Sequence, residues 1–260
     1  MESMQIKYST GEESMLYCVP KGRIAFHRGE NTNGGKRMNI FDIVGPIMVG
    51  PSSSHTAGAV RIGYITRRLL GEPVIRAEIG LCGSFLATGK GHGTDKALVA
   101  GLLGLAVDDM RIPESFEMAK KQGLSFCFTA EEIPEAHPNT AHLKVEGASG
   151  QKLDIVAASV GGGRMKVCSI DGITAEFYGE CPTLVVQDRD EPGQVADMTT
   201  MLAQANINIA TMQLYRDVRG GVAVTVIECD QEVPRESLHW LAERDGILKV
   251  TYLSMEEAPV

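Results

Sequence analysis

The order of secondary-structure signals beyond residue 182 limits what this chain can fold into more than any other feature. Thr183-Leu184-Val185-Val186 reads as a strand, Pro192 and Gly193 open a helix in which Val195, Met198 and Leu202 share a face, and residues 207–214 read as a second strand. Gly220-Gly221 turns the chain into a third strand over 222–228. Pro234 then starts a helix bearing Leu238 and Leu241, and residues 248–253 supply a closing strand. This βαββαβ order predicts the ferredoxin-like split motif.

Upstream the signals are mixed, so the whole chain reads as α+β. Residues 77–82 form a plausible strand, 95–105 a helix, 111–122 include a second helix, and 124–128 alternate like a strand. Two short strands, 142–145 and 152–156, are joined by Gly147-Ala148-Ser149-Gly150, which is hairpin chemistry. Ser159-Val160-Gly161-Gly162-Gly163-Arg164 then breaks the ladder. Its glycines suit backbone approaching a ligand or a neighbouring chain, although a bulge or simple turn explains them better. Residues 1–37 read as a leader, disordered by composition, because Thr10-Gly11-Glu12-Glu13 and the run 28–37 are polar and turn-forming. From Met38, itself a candidate start, Ile40, Phe41, Ile43 and Val44 supply an apolar patch.

The chemistry concentrates in two segments. Gly50-Pro51-Ser52-Ser53-Ser54-His55-Thr56-Ala57-Gly58 is poor core material, and its hydroxyls at the start of a helix suit a carboxylate or phosphate. One serine would be an ordinary cap; three followed by His and Thr exceed what a cap needs. Thr88-Gly89-Lys90-Gly91-His92-Gly93-Thr94-Asp95 adds glycines, a cation and a second histidine before the apolar run 97–107. It is not a nucleotide P-loop, since five residues separate Gly83 from Gly89-Lys90 and Gly91 stands where a magnesium-binding hydroxyl belongs. Two such loops, each with a histidine, point to one shared polar pocket. His137 and His142 lie in ordinary loop and strand contexts and read as structural.

A net charge of −8 and a pI near 5.3 argue against nucleic acid or an anionic membrane as partner. The longest apolar stretch, 97–107, is interrupted by Gly101 and Gly104 and is too short to span a bilayer. With no secretory segment near Met1, a cytoplasmic protein is expected. The six cysteines (Cys18, Cys82, Cys127, Cys168, Cys181, Cys229) are scattered, without a Cys-x-x-Cys pair to nucleate a metal or iron-sulfur site. No metal ligand set is expected within the chain.

The strand, Asp190-Glu191-Pro192-Gly193, helix, Asn206-Ile207-Asn208-Ile209, strand series resembles an ACT domain, a module that commonly binds small amino acids. The two polar segments, with Gly83-Ser84 and Ser159-Val160-Gly161-Gly162-Gly163 in order, resemble the beta chain of iron-sulfur-dependent L-serine dehydratase (L-serine ammonia-lyase) over about 38–255. The resemblance implies a beta domain at 38–178 and an ACT domain at 182–255. It also implies a separate alpha chain whose cysteines bind a [4Fe-4S] cluster, so that this chain is active only with that partner. There the cluster acts as a Lewis acid on the hydroxyl of L-serine, giving pyruvate and ammonia. In that scheme Ser52, Ser53, Ser54 and Thr56 hold the substrate carboxylate, and Ser84 and Thr88 are further substrate-binding residues. His55, Lys90 and His92 form the catalytic set, Lys90 neutralising the carboxylate and the histidines orienting substrate or shuttling protons. In the ACT part, Asp190, Gly193 and Asn208 are the expected effector contacts, and self-association is expected there. A second reading makes the chain a non-catalytic serine sensor, similar to the serine-binding region of phosphoglycerate dehydrogenase. Two histidine-bearing segments exceed what anion holding requires and favour the enzyme.

Overall fold

The structure is a computed structural model that describes residues 47–254 and two short strands, β1 (Met4–Ile6) and β2 (Tyr17–Val19), which pair antiparallel. The rest of the 1–37 leader and the 38–44 apolar patch lie outside the described residues. Two compact units divide the chain, Met1–Met38 and Asn39–Val260.

The second unit opens with a five-residue π-helical turn, Ser53–Ala57, running directly into α1 (Gly58–Leu70). The sequence Gly-Ala-Val-Arg-Ile-Gly-Tyr-Ile-Thr-Arg-Arg-Leu-Leu buries Ala59, Val60, Ile62, Ile65, Leu69 and Leu70, the helical spacing of one apolar face. Then follow β3 (Val74–Leu81), α2 (Gly83–His92), α3 (Thr94–Leu102), α4 (Ser115–Gln122), β4 (Ser125–Ala130), β5 (Thr140–Gly147) and β6 (Lys152–Gly161). Next come β7 (Arg164–Ile170) and β8 (Ile173–Phe177). They form a six-stranded sheet in the order β4-β3-β5-β6-β7-β8, antiparallel except for β3 with β4. Strand β5 shows how the sheet is sided: Ala141, Leu143 and Val145 enter the core, while His142, Lys144 and Glu146 alternate to the other face.

Helices α1 and α3 cross at glycines. A Cβ on Gly63 would lie 2.2 Å from the Leu98 carbonyl oxygen, and one on Gly101 would lie 2.1 Å from that of Val60. Only hydrogen fits at such a backbone approach, and the crossing seats the turn carrying His55 against the core.

The remaining elements, β9 (Thr183–Arg189), α5 (Gln194–Gln204), β10 (Ile209–Arg216), β11 (Val222–Cys229), α6 (Arg235–Ala242) and β12 (Ile247–Leu253), follow the expected βαββαβ order. Their sheet order, β10-β11-β9-β12, is fully antiparallel, as the split motif requires. Leu184, Val186, Ile227 and Cys229 cluster with Met198, Met201 and Leu202 of α5 and Leu241 of α6. From the opposite face Val185, Val224, Val226 and Leu253 join the core of the six-stranded sheet. Because both faces are buried, this sheet is an integral part of the unit.

Two sequence expectations change, on Val195 and on the second glycine-rich segment, and the turn expected at 161–163 is present. Val195 is 41% exposed; α5 begins at Gln194, so its buried residues are Gln194, Met198, Met201 and Leu202. The segment expected as a second glycine-rich loop is helical, with Gly83–His92 forming α2 and only Gly93 between it and α3. The glycines at 161–163 form the turn of the β6–β7 hairpin, where all three have positive φ. One buried charge is notable: Asp188 is 1% exposed, and desolvation, reinforced by Asp190, pushes its carboxyl up to about 6.

Candidate active site

The π-helical turn is positioned from both ends. Ser52, extended and outside the helix, caps it by accepting from the His55 amide at 3.1 Å, and the Thr56 amide donates to the Ser52 carbonyl at 2.9 Å. The amides of Ser53 and Ser54 are then first-turn groups that helix geometry leaves without an intrahelical acceptor. Both side chains are partly exposed beside them. These are donors suited to a carboxylate.

Across from the turn stands α2. Its first amides are capped from outside the helix, since the Pro138 carbonyl accepts from Ser84 N at 2.7 Å and Phe85 N at 3.3 Å. Gly83 makes this possible: its φ is +49°, and a Cβ there would meet the Pro138 oxygen at 2.7 Å. The helix thereby aims Ser84 and Thr88, one turn apart, at the imidazole of His55. His55 Nε2 lies 3.0 Å from Ser84 Oγ and 3.1 Å from Thr88 Oγ1, while Ser52 Oγ is 3.5 Å from Nδ1. Phe85, fully buried, sets its ring edge-on to His55 with centroids 5.5 Å apart. The His92 ring stacks obliquely at 4.9 Å, and its Nδ1 donates to the Thr88 carbonyl at 3.3 Å.

Burial, and then the neighbouring His92, hold the His55 pKa below the ordinary 6.5. The imidazole is therefore mostly neutral at pH 7, the form that accepts a proton.

The structure brings together Ser52, Ser53, Ser54, His55, Ser84, Thr88 and His92. Thr56 is 2% exposed and its hydroxyl donates to the His92 carbonyl at 3.2 Å, so it ties the turn to α2 instead of facing a ligand. Lys90 is placed elsewhere. At about 100° per residue it stands roughly 200° around the helix from Thr88, on the exposed side. His142 is clamped between Glu131 Oε2 at 2.7 Å and Asp154 Oδ1 at 2.6 Å. Burial alone would lower its pKa, but the hydrogen bonds to Asp154 and Glu131 outweigh it and the shift is upward. His137 Nδ1 accepts from the Asn139 amide at 3.1 Å.

Sequence reasoning missed Phe85 and the Pro138-Asn139-Thr140 segment. Phe85 carried a signal, an aromatic between two polar site residues. Pro138 carried none, because its contribution is a backbone carbonyl.

The expected effector contacts do not meet within one chain. The Gly220 amide at 2.9 Å and Arg216 at 3.0 Å occupy the Asp190 carboxylate and hold its pKa down. Asn208 donates to Asp230 at 2.6 Å. Arg216 and Asn208 flank opposite ends of β10, so about 25 Å of strand separates the two sites. Gly193, at the start of α5, has open space beside it.

Among the described residues no group of three or more His, Cys, Asp or Glu side chains is arranged to hold a metal ion, and no helix is long and apolar enough to cross a membrane.

An α+β chain with a serine-histidine pocket on one sheet and a βαββαβ module on the other is the class these features define, and residues 183–238 match the ACT domain model. Residues 39–125, which contain the whole pocket from Ser52 to His92, match the serine dehydratase beta chain model. A probable L-serine dehydratase beta chain of Bacillus subtilis is 36% identical over 219 residues, 84% of this chain and 99% of that protein. The L-serine dehydratase beta chain of Peptoniphilus asaccharolyticus is 38% identical over 194 residues, 74% of this chain and 87% of its own length. A D-3-phosphoglycerate dehydrogenase of Bacillus subtilis is 25% identical over 198 residues, 76% of this chain, but only 37% of that protein is covered. The chain belongs to the serine dehydratase beta-chain family.

Proposed function

We propose that this chain is the beta subunit of an iron-sulfur-dependent L-serine dehydratase, a carbon-oxygen lyase that converts L-serine to pyruvate and ammonia together with an alpha subunit. The observation that carries this reading is a neutral imidazole, His55, held beside two hydroxyls and next to unpaired helix-terminal amides. The amides of Ser53 and Ser54, with the hydroxyls of Ser52, Ser53 and Ser54, receive the substrate carboxylate, and that positive environment also acidifies Cα–H. His55 accepts the Cα proton at the ring nitrogen that carries no hydrogen, with Ser84 and Thr88 fixing the ring. As the C–H pair becomes the new C=C bond, the Cβ–O bond breaks, and the departing hydroxyl takes up a proton, in balance the one His55 received, and leaves as water. The resulting aminoacrylate tautomerises to an imine, which takes up water and releases ammonia to give pyruvate.

The described cysteines do not fit an iron-sulfur cluster: Cys82 and Cys229 are buried apart from each other and no ligand cluster is formed. The [4Fe-4S] group and the cysteines that ligate it are therefore assigned to the alpha subunit, and the complete site to the hetero-oligomer. Asp190, Gly193 and Asn208 remain proposed effector contacts. Since Asp190 and Asn208 lie apart in one chain, joint use of both needs a second copy.

Reconstitution tests this directly. Each purified subunit alone, treated anaerobically with iron and sulfide, should form no pyruvate from L-serine, and the mixture should. Stoichiometric iron and sulfide on this chain alone, with turnover, would overturn the two-subunit reading.

A further inference from the structure

Serine carries an ammonium group as well as a carboxylate, and an ammonium needs acceptor oxygens, best an oxygen with no other donor. Several carbonyls around His55 already accept hydrogen bonds. The Ser84 carbonyl accepts from the Thr88 hydroxyl at 2.9 Å, the Thr88 carbonyl from His92 and the His92 carbonyl from Thr56. Pro138 O accepts from two amides of α2, and Asn139 O accepts from the Ser159 amide at 2.9 Å. Asn139 Oδ1, in the segment that caps α2, is different: it is buried and has no hydrogen-bond partner among the described residues.

Its position is fixed on both sides. The residue before it caps α2 at Ser84 and Phe85, and its own carbonyl holds Ser159, whose side chain lies against Gly58 where α1 leaves the His55 turn. Asn139 thus forms part of the floor between Ser84 and the start of α1. Two hydroxyls in the same region, Ser159 and Thr94, also lack partners, but both residues have zero exposure and are sealed in the core. Asn139 as a residue keeps part of its surface exposed, so a turn of its side chain can present the buried Oδ1 to a substrate. A buried carboxamide oxygen without a donor is destabilising unless something supplies one.

We propose that Asn139 Oδ1 accepts a hydrogen bond from the α-ammonium of L-serine and so selects an amino acid over the corresponding hydroxy acid. This rests on the reading of the site given above. The reconstituted complex tests it, with L-serine as substrate and 3-hydroxypropanoate, serine without its amino group, as competitive inhibitor. Asn139→Ala should raise KM for L-serine by roughly 10- to 100-fold, the worth of a hydrogen bond to a charged group, with a much smaller change in kcat. The inhibition constant of 3-hydroxypropanoate should stay within about 2-fold, because that molecule lacks the contact. Asn139→Asp, which keeps an acceptor, should restore much of the serine affinity. An unchanged KM in Asn139→Ala, or equal weakening of serine and inhibitor, would overturn the assignment and leave Asn139 a structural residue. A wild-type complex that does not turn over serine would instead fail the functional reading, and this assignment with it.

Discussion

His55→Ala should lower kcat/KM for L-serine by roughly two to four orders of magnitude in the assembled enzyme, the usual worth of a positioned general base. Thermal melting of the chain should change little, since the imidazole is only partly buried and its partners Ser84 and Thr88 regain solvent. His142→Ala is the matched control. Its loss leaves Glu131 and Asp154 without the imidazole that bonds to both, so it should reduce melting temperature while pyruvate formation falls only a few-fold. Equal kinetic losses in both variants, with normal assembly, would remove the distinction between the two histidines.

The largest effect on folding should come from Gly101→Leu. A Cβ at that position meets the Val60 oxygen at 2.1 Å and the Tyr64 nitrogen at 2.6 Å, both backbone atoms that no rotamer change can move aside. Helices α1 and α3 must part, at a cost of about 3 kcal/mol or more, beyond ordinary overpacking. Glycine at 91 is the opposite case. It lies inside α2 with nothing within 4 Å of a built Cβ, so Gly91→Ala should stabilise by about 0.5–1 kcal/mol through helix propensity alone. Urea denaturation of the two variants measures both signs. A neutral Gly101→Leu would mean that the crossing is looser than its geometry implies.

The second sheet was legible because its signals are local: Pro192, Gly220-Gly221 and Pro234 each punctuate an element whose apolar residues recur at the right period. Helix α2 was not. Gly89 and Gly91 lower its intrinsic propensity, and what holds it is tertiary, the Pro138 carbonyl on its first amides and the buried Phe85 beneath. Lys90 was expected in the site from the family resemblance, which carries no helical phase. The β7–β8 hairpin did carry a readable signal in Asp171-Gly172, where φ is 50° and 79°, a dipeptide suited to a tight turn. Within the site, residue type was informative and geometry was not. Nothing local says that Ser84, 29 residues beyond His55, supplies its hydrogen-bond partner.

The pH dependence of kcat/KM for L-serine in the reconstituted complex tests the central claim most directly, that His55 serves as a neutral base beside the serine-rich turn. Burial and His92 lower the His55 pKa, so the neutral form persists to more acidic pH than for a free imidazole. Activity should rise as pH increases through that pKa, giving an acid limb with its midpoint below the ordinary 6.5, and the limb should be absent from the residual activity of His55→Ala. A midpoint at or above 6.5, or an unchanged acid limb in His55→Ala, would contradict the account.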